Sequence, residues 1–570
     1  MNRTPTEKIP EHLLPYVTEQ NPALYTPMDH AAWRYIMRVS MAFFAKHAHP
    51  AYLRGIPATG MAIERIPLIS EMDAALRELG WRAIAVNGFI PPSVFMEFQS
   101  LRVLAIACDM RKIENLGYTP APDIVHEAAG HAPMVADPVY RRYLESYGEV
   151  ARAAIISKQD LNLYEAVFSL SEIKENPMAN EEAIAKSQNH FEKLAASITE
   201  ISEAAYLSRM AWWTTEYGLV GPSDKPLIYG AGLLSSVSES YNCLKPEVKK
   251  IPLTSNCIYT SYDITRPQPQ LFLARDFSEL ILALEEFSST MAYRVGGAES
   301  LEKAKKADNT VTVVHDTGAQ FSGTVELYGL DPAGVPAWYR MGGQKQVAAD
   351  DRASNDVPYY KMPKSVFVPL FDRSVATNSF EAIRARLHTT GLPARDGMRV
   401  FGRIAKDVLI GNRARVLVMD QIRIEKADKV LFDERDTVYP LFLASEIPSV
   451  FGGAADRTEF AQRTAHTAAS KVERHKTNLT SANSALNELY QLVRDYRESA
   501  KTVPYELAEV AAALKRSYPD EWLLRLEILE LARAWDRAPN WVNELKADLI
   551  EVAKKPQFSE LVQRGMALIA

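Results

Sequence analysis

Two histidines five positions apart, in His126-Glu127-Ala128-Ala129-Gly130-His131, are the residues best placed by type and spacing to do chemistry. Imidazoles bind transition metals. A zinc-protease HExxH places its histidines four apart, about 40° around an α-helix. Five apart, they diverge by about 140° on an ideal helix. Both then reach one ion only if the second lies at a helix end or past a distortion. Gly130 before His131 and Pro133 after it predict a stop there. The spacing therefore speaks against the zinc-protease reading. A carboxylate from elsewhere would complete a two-histidine, one-carboxylate face with open positions, the geometry of non-haem iron(II) oxygenases. Spacing names no unique carboxylate: the chain has 71 acidic residues, and Glu127 is adjacent. Two histidines making hydrogen bonds or caps near a helix end are the plain alternative.

The elements that must position these groups are mostly helical. From about 20 to 295, apolar residues recur at helical spacing, as in Trp33-Ile36-Met37-Val39 and Ile201-Ala205-Leu207. Pro and Gly separate the segments. Gly296-Gly297 and the charged run to Asp308 mark a first boundary. From about 309 to 425 short β-branched runs follow, among them Thr310–Val314, Thr324–Tyr328, Ser365–Leu370 and Arg415–Ile424. Beyond 456 the pattern is helical again, with helices expected in 503–516, 519–536, 539–554 and 557–569. Val472, Leu479, Leu486 and Val493 are seven apart, and Ala468, Ala482, Leu489 and Tyr496 form the complementary seam. That seam suits either an oligomerisation helix or a helix packed within its own chain. The chain thus reads as multidomain: a mainly α-helical catalytic region (1–296), a β-rich region (297–430) and a helical C-terminal region (431–570).

The 570 residues carry a net charge of −6, with no basic cluster to suggest nucleic acid. No stretch approaches the roughly 18 apolar residues of a membrane span, and the polar N-terminus is no secretory signal. Three cysteines form no metal spacing and no disulfide framework. A reduced, cytoplasmic setting fits these features.

Three blocks stand in order: PDIVHEAAGHAP from Pro122, Trp212-Trp213-Thr214-Thr215-Glu216-Tyr217-Gly218-Leu219, and Tyr229-Gly230-Ala231-Gly232-Leu233-Leu234-Ser235-Ser236. In sequence and spacing they resemble the pterin-dependent aromatic amino acid hydroxylases, the bacterial phenylalanine hydroxylases in particular. The resemblance runs from about 25 to 295 and implies an aromatic amino acid hydroxylase-like fold. It implies Fe(2+) held by His126, His131 and Glu216, a tetrahydrobiopterin or related tetrahydropterin cofactor, and O2 as co-substrate. Arg111 would grip the substrate carboxylate, with Asp123 orienting it; a guanidinium fork suits a carboxylate. Tyr118, Thr119 and Trp212 would line the amino acid pocket. Phe95 would stack on the pterin, and Glu127 would face the pterin side of the site. Ser235 would lie beside a metal-bound histidine and the substrate. Ala211 and the pair Pro91-Pro92 depart from the mammalian pattern near the cofactor. Ile264 takes a specificity position. An apolar residue there favours an apolar ring, because burying an unpartnered phenol hydroxyl costs about 1–3 kcal/mol. The implied reaction is L-phenylalanine to L-tyrosine, with tryptophan hydroxylation and 3-hydroxylation of phenylalanine as alternatives. A zinc metallohydrolase and an inactive regulatory protein are the readings from other classes.

Overall fold

The computed structural model describes residues 8–88, 90–117, 122–175, 180–263, 267–376, 378–411, 414–464, 481–499, 504–535 and 539–569. Its first half mixes helices with two small sheets. Helix α1 (Pro27–His47) begins with a full capping box. Thr26 accepts from the Asp29 amide, Asp29 accepts from the Thr26 amide, and Pro27 opens the first turn. Nearly every residue from His30 to Met37 is buried, so α1 is a central helix rather than an amphipathic surface one.

The first sheet pairs β1 (Val17–Thr18) antiparallel with β2 (Arg82–Val86), and β2 parallel with β3 (Val103–Ala107). Parallel neighbours need a crossover, and helix α2 (Pro92–Ser100) supplies it. The second sheet has the order β5-β4-β7-β6, from β4 (Leu219–Val220), β5 (Leu227–Ile228), β6 (Lys249–Pro252) and β7 (Gln270–Ala274). The first half is thus mainly helical, as the helical periodicity predicts, with two small sheets set among the helices.

Between residues 310 and 452 lie two antiparallel sheets. One takes the order β11-β10-β9-β8-β17, with β12 on β10; the other runs β13-β14-β15-β16. Their strands are β8 (Thr310–Val314), β9 (Ala319–Leu330), β10 (Pro336–Ala349), β11 (Arg352–Ala353), β12 (Val366–Pro369), β13 (Leu392–Pro393), β14 (Met398–Ile410), β15 (Ala414–Lys426), β16 (Lys429–Phe442) and β17 (Ser449–Gly452). These strands enclose a core of their own, with Val311, Phe321, Tyr339, Phe367, Leu417 and Leu441 fully buried. Strands continue past 430, where the sequence reading had placed the start of the helical region. The charged run Asp433-Glu434-Arg435-Asp436 within β16 obscures its strand character, because much of that stretch faces solvent.

Among the described residues the C-terminal helices form no separate core. Helices α4 (Ser481–Ser499), α5 (Pro504–Ser517), α6 (Leu523–Ala532), α7 (Asn540–Val552) and α8 (Pro556–Ile569) send Leu486, Tyr490, Val493, Leu514, Leu524, Ile528, Leu549 and Val562 into the same core as α1; the short helix α3 (Val237–Asn242) also packs there. Arg34 of α1 donates to both carboxylate oxygens of Glu527 at 2.9 and 2.7 Å, with both side chains buried. Arg497 joins the same carboxylate at 3.2 Å. The Tyr35 hydroxyl donates to the Leu561 carbonyl at 2.7 Å. The apolar seam that could have served oligomerisation is thus spent inside the chain at Leu486 and Val493; Val472, Leu479 and Ala468 lie outside the described residues.

Candidate metal centre and amino acid site

Both histidines lie on a π-helix, Val125–His131. A π-turn closes residue i onto residue i+5, so side chains five apart fall on one face, one turn apart. The Ala132 amide bonds the Glu127 carbonyl in this i+5 pattern. The required distortion is therefore the wide turn itself. Gly130 is not a stop: the chain runs on through His131 into the 3-10 helix Ala132–Ala136. The glycine serves close approach instead, since a Cβ there would sit 2.7 Å from the Ala231 carbonyl oxygen.

Glu216 ends a second π-helix, Trp212–Glu216, in which the Tyr217 amide bonds the Trp212 carbonyl at 2.9 Å. Thr214 and Thr215 return their hydroxyls to the carbonyls of Met210 and Ala211, back-bonding that bends a helix. The segment from Tyr229 to Ser236 wedges between the two π-helices. A Cβ on Gly230 would meet the Glu216 carbonyl oxygen at 2.4 Å.

The three side chains converge. His126 Nε2 lies 3.3 Å from Glu216 Oε2, and His131 Nε2 lies 3.1 Å from Glu216 Oε1. The two Nε2 atoms face each other at 3.2 Å, with the rings at 87°. All three donor atoms lie within 4.8 Å of one another. Two imidazole nitrogens and a carboxylate aimed at one point fit a divalent transition metal, and two nitrogens with one oxygen suit iron or zinc more than calcium. Burial alone would raise the Glu216 carboxyl; His131 and His126 overturn that and hold it well below the usual carboxylate range. Glu127 shows the opposite balance. Burial pushes it up to about 8, with His131 opposing and Glu216 and Asp123 adding to the rise. Its Oε2 is buried without a partner among the described residues. An orphan acid at this depth fits a polar ligand group lying against it.

Beside these three side chains sits a buried ion pair. Arg111 Nε and Nη2 each donate at 2.7 Å to the two oxygens of Asp123. Arg111 Nη1 donates to the Ser235 carbonyl at 2.9 Å. The terminal guanidinium nitrogens each carry a second N–H, a fork suited to a carboxylate. Asp123 also accepts from the His126 amide at 3.0 Å, which ties the pair to the start of the π-helix. Ser235 Oγ lies 3.1 Å from His126 Nδ1. One serine thus holds the arginine with its carbonyl and faces the histidine ring with its hydroxyl.

Trp212 is stacked between Tyr217 (4.5 Å, 26°) and Tyr262 (4.2 Å, 8°), and its buried Nε1 has no partner among the described residues. Tyr262, two positions before Ile264, was not anticipated as a site residue. Phe95 is half-buried on α2 against the small core of Leu13, Val94 and Phe98. Tyr118, Thr119 and Ile264 lie outside the described residues.

A family model for biopterin-dependent aromatic amino acid hydroxylases matches residues 13–161 and 174–298. Over these residues the chain is similar to that family. The phenylalanine-4-hydroxylase of Ralstonia nicotianae is 28% identical over 231 residues, which cover 40% of this chain and 59% of the relative. That of Pseudomonas aeruginosa is 27% identical over 288 residues, 50% of this chain and 93% of the relative. A crystal structure of phenylalanine hydroxylase from Chromobacterium violaceum with bound oxidised Fe(III) is 24% identical, with a TM-score of 0.38, covering 48% of this chain and 84% of that one. The residues that the family model matches include every candidate site residue described above.

Proposed function

We propose that this chain is an iron(II)- and tetrahydropterin-dependent monooxygenase that converts free L-phenylalanine to L-tyrosine. The observation that carries the reading is one shared scaffold: His126, His131 and Glu216 converge beside the Arg111–Asp123 pair, and Ser235 touches both. In this reading His126, His131 and Glu216 hold the iron. Arg111 binds the substrate carboxylate, and Asp123 orients its guanidinium through two hydrogen bonds. The fixed ring of Trp212 walls the amino acid pocket, with Tyr118 and Thr119 as further lining. Ser235 sets the orientation of the His126 ring through Nδ1, which leaves Nε2 for the metal. Phe95 and the orphan carboxyl of Glu127 receive the pterin.

When bound, iron supplies open coordination positions for O2 and the reduced pterin supplies two electrons that side chains lack. The chain's own part is placement: substrate carboxylate at one end, ring toward the metal face, water kept out by the stacked aromatics. No side chain acts as a nucleophile. An apolar ring is preferred because a phenol hydroxyl meeting no partner would cost about 1–3 kcal/mol. Residues 1–296 serve as the catalytic region in this reading, and the setting is the cytoplasm; among the described residues no helix is long and apolar enough to cross a membrane.

The test supplies the full chain with Fe(II), tetrahydrobiopterin and, separately, phenylalanine, tyrosine and tryptophan, with products identified by mass and retention. Tyrosine from phenylalanine is expected, with H126A, H131A and E216A each losing both iron and turnover. Hydroxytryptophan or 3-hydroxyphenylalanine as the main product would replace the substrate assignment. Zinc-dependent peptide cleavage without any hydroxylation would overturn the reading.

A further inference from the structure

The last helix of the chain reaches the segment that anchors the substrate arginine. The Arg564 guanidinium of α8 lies 3.9 Å over the Tyr241 ring. It donates to the Val237 carbonyl and pairs with Glu560. Its side chain is only 10% exposed. Tyr241 stacks in turn on Phe43 (3.8 Å, 25°), and Phe43 on His47 (4.4 Å, 29°). A column of four planar groups therefore runs through α8, α3 and α1. A guanidinium over an aromatic face and a backbone carbonyl at once holds the ring and the helix start together.

Val237 is the first residue of α3, two positions after Ser235. Ser236 caps that helix, accepting from the Glu239 amide at 3.2 Å and donating to the Gly117 carbonyl at 3.0 Å. The Ser235 carbonyl receives Arg111 Nη1. Only one residue separates the carbonyl that Arg564 holds from the carbonyl that Arg111 holds. A shift of α3 is thus passed directly to Arg111. His126 feels less of it, because the Asp123 carboxylate and the π-helix also fix that residue.

We infer that Arg564 is a positioning residue for amino acid binding: it clamps the start of α3 so that the Ser235 carbonyl keeps the Arg111 fork aimed at the substrate carboxylate. This rests on the function proposed above. The test compares the full chain with R564M and R564K. Phenylalanine binding by calorimetry, the KM values for phenylalanine and tetrahydrobiopterin, kcat, iron content and amide hydrogen exchange across residues 235–242 are measured on each. In R564M, phenylalanine affinity is expected to fall about tenfold, the scale of one lost charge-assisted hydrogen bond. Exchange across 235–242 should quicken, while kcat, pterin KM and iron content stay within twofold. R564K should recover part of the affinity. Unchanged phenylalanine affinity in R564M overturns the inference, as does a uniform decline of kcat, both KM values and iron content. If the unaltered protein binds no aromatic amino acid, the functional reading falls and this inference with it. If the unaltered protein binds and R564M binds equally well, this inference alone falls.

Discussion

The β-rich stretch from 310 to 452 and the helices from 481 to 569 both extend the matched hydroxylase region, yet they relate to it in opposite ways. The strands close on a core of their own, which borrows little more than Ile155 and Ala292 from the first half. The helices, among the described residues, enclose no core of their own. Their apolar faces complete the core built around α1, and Glu527 brings a buried carboxylate to Arg34 there. Position along the chain is thus a poor guide to membership. The segment furthest from the candidate metal site in sequence is the one most merged with the region that bears it.

The comparison can be broken most decisively by truncation. A chain ending at residue 464 should fail to give a soluble, cooperatively unfolding protein. It uncovers many buried side chains worth about 1.5–3 kcal/mol each, against a total domain stability of about 5–15 kcal/mol. A monodisperse truncated protein by size-exclusion chromatography that still binds iron would refute the shared core; residues 1–296 alone should fare no better. Next in size is E527Q. It leaves Arg34 and Arg497 without their buried carboxylate and should cost the shared core about 3–5 kcal/mol in denaturant unfolding. Unfolding of the β-rich part should not move with it.

A third test uses pH. Burial lowers His315 to about 4 from an ordinary 6.5, with Asp316 opposing; the ring sits beneath Phe442 and shares a hydrogen bond with Tyr339. The folded state keeps it neutral while the unfolded chain protonates it. Its contribution is therefore present above pH 6.5 and is lost as pH falls toward 4, on the order of 3 kcal/mol. His30, beside α4, is lowered to about 4 in the same sense within the shared core. H315Q should flatten the acid decline of the β-rich part alone, followed by calorimetry from pH 7 to 4. A flattening of the whole profile would mean that the two parts unfold as one. The smallest effect expected is R403A, which removes an exposed pair with Asp420 on the β14–β15 hairpin. Neither melting nor turnover should change measurably.

Much of the site was legible because its chemistry is written in residue order. Spacing alone told that the second histidine must lie at a helix end or past a distortion, but not that a wide turn would bring it round without breaking the helix. Gly130 looked like a terminator because glycine after a helical run usually is one. The reason it stands there, the approach of Ala231, lies a hundred positions away and leaves no local trace. Glu216 could be chosen only through the ordered blocks, since the fold rather than the spacing brings it to the pair. The strands were legible where β-branched residues cluster, as in β8. They were obscured in β10 by Gly342-Gly343 and in β16 by charges, because half-solvated strands carry the composition of loops. The C-terminal helices were legible as elements, but their partners were not: an apolar helical face does not say which core it completes.

The bond between Arg34 and Glu527 joins residues 493 positions apart. At about 5–20 residues per second on the ribosome, roughly 25–100 s pass between the synthesis of the two. During that interval α1 has emerged while the helices that cover it do not yet exist. The matched region therefore cannot mature as it is made, amino-terminal part first. It must wait with an apolar face open until the helices from 481 to 569 have been made, and a nascent chain in that state is a natural client for chaperones.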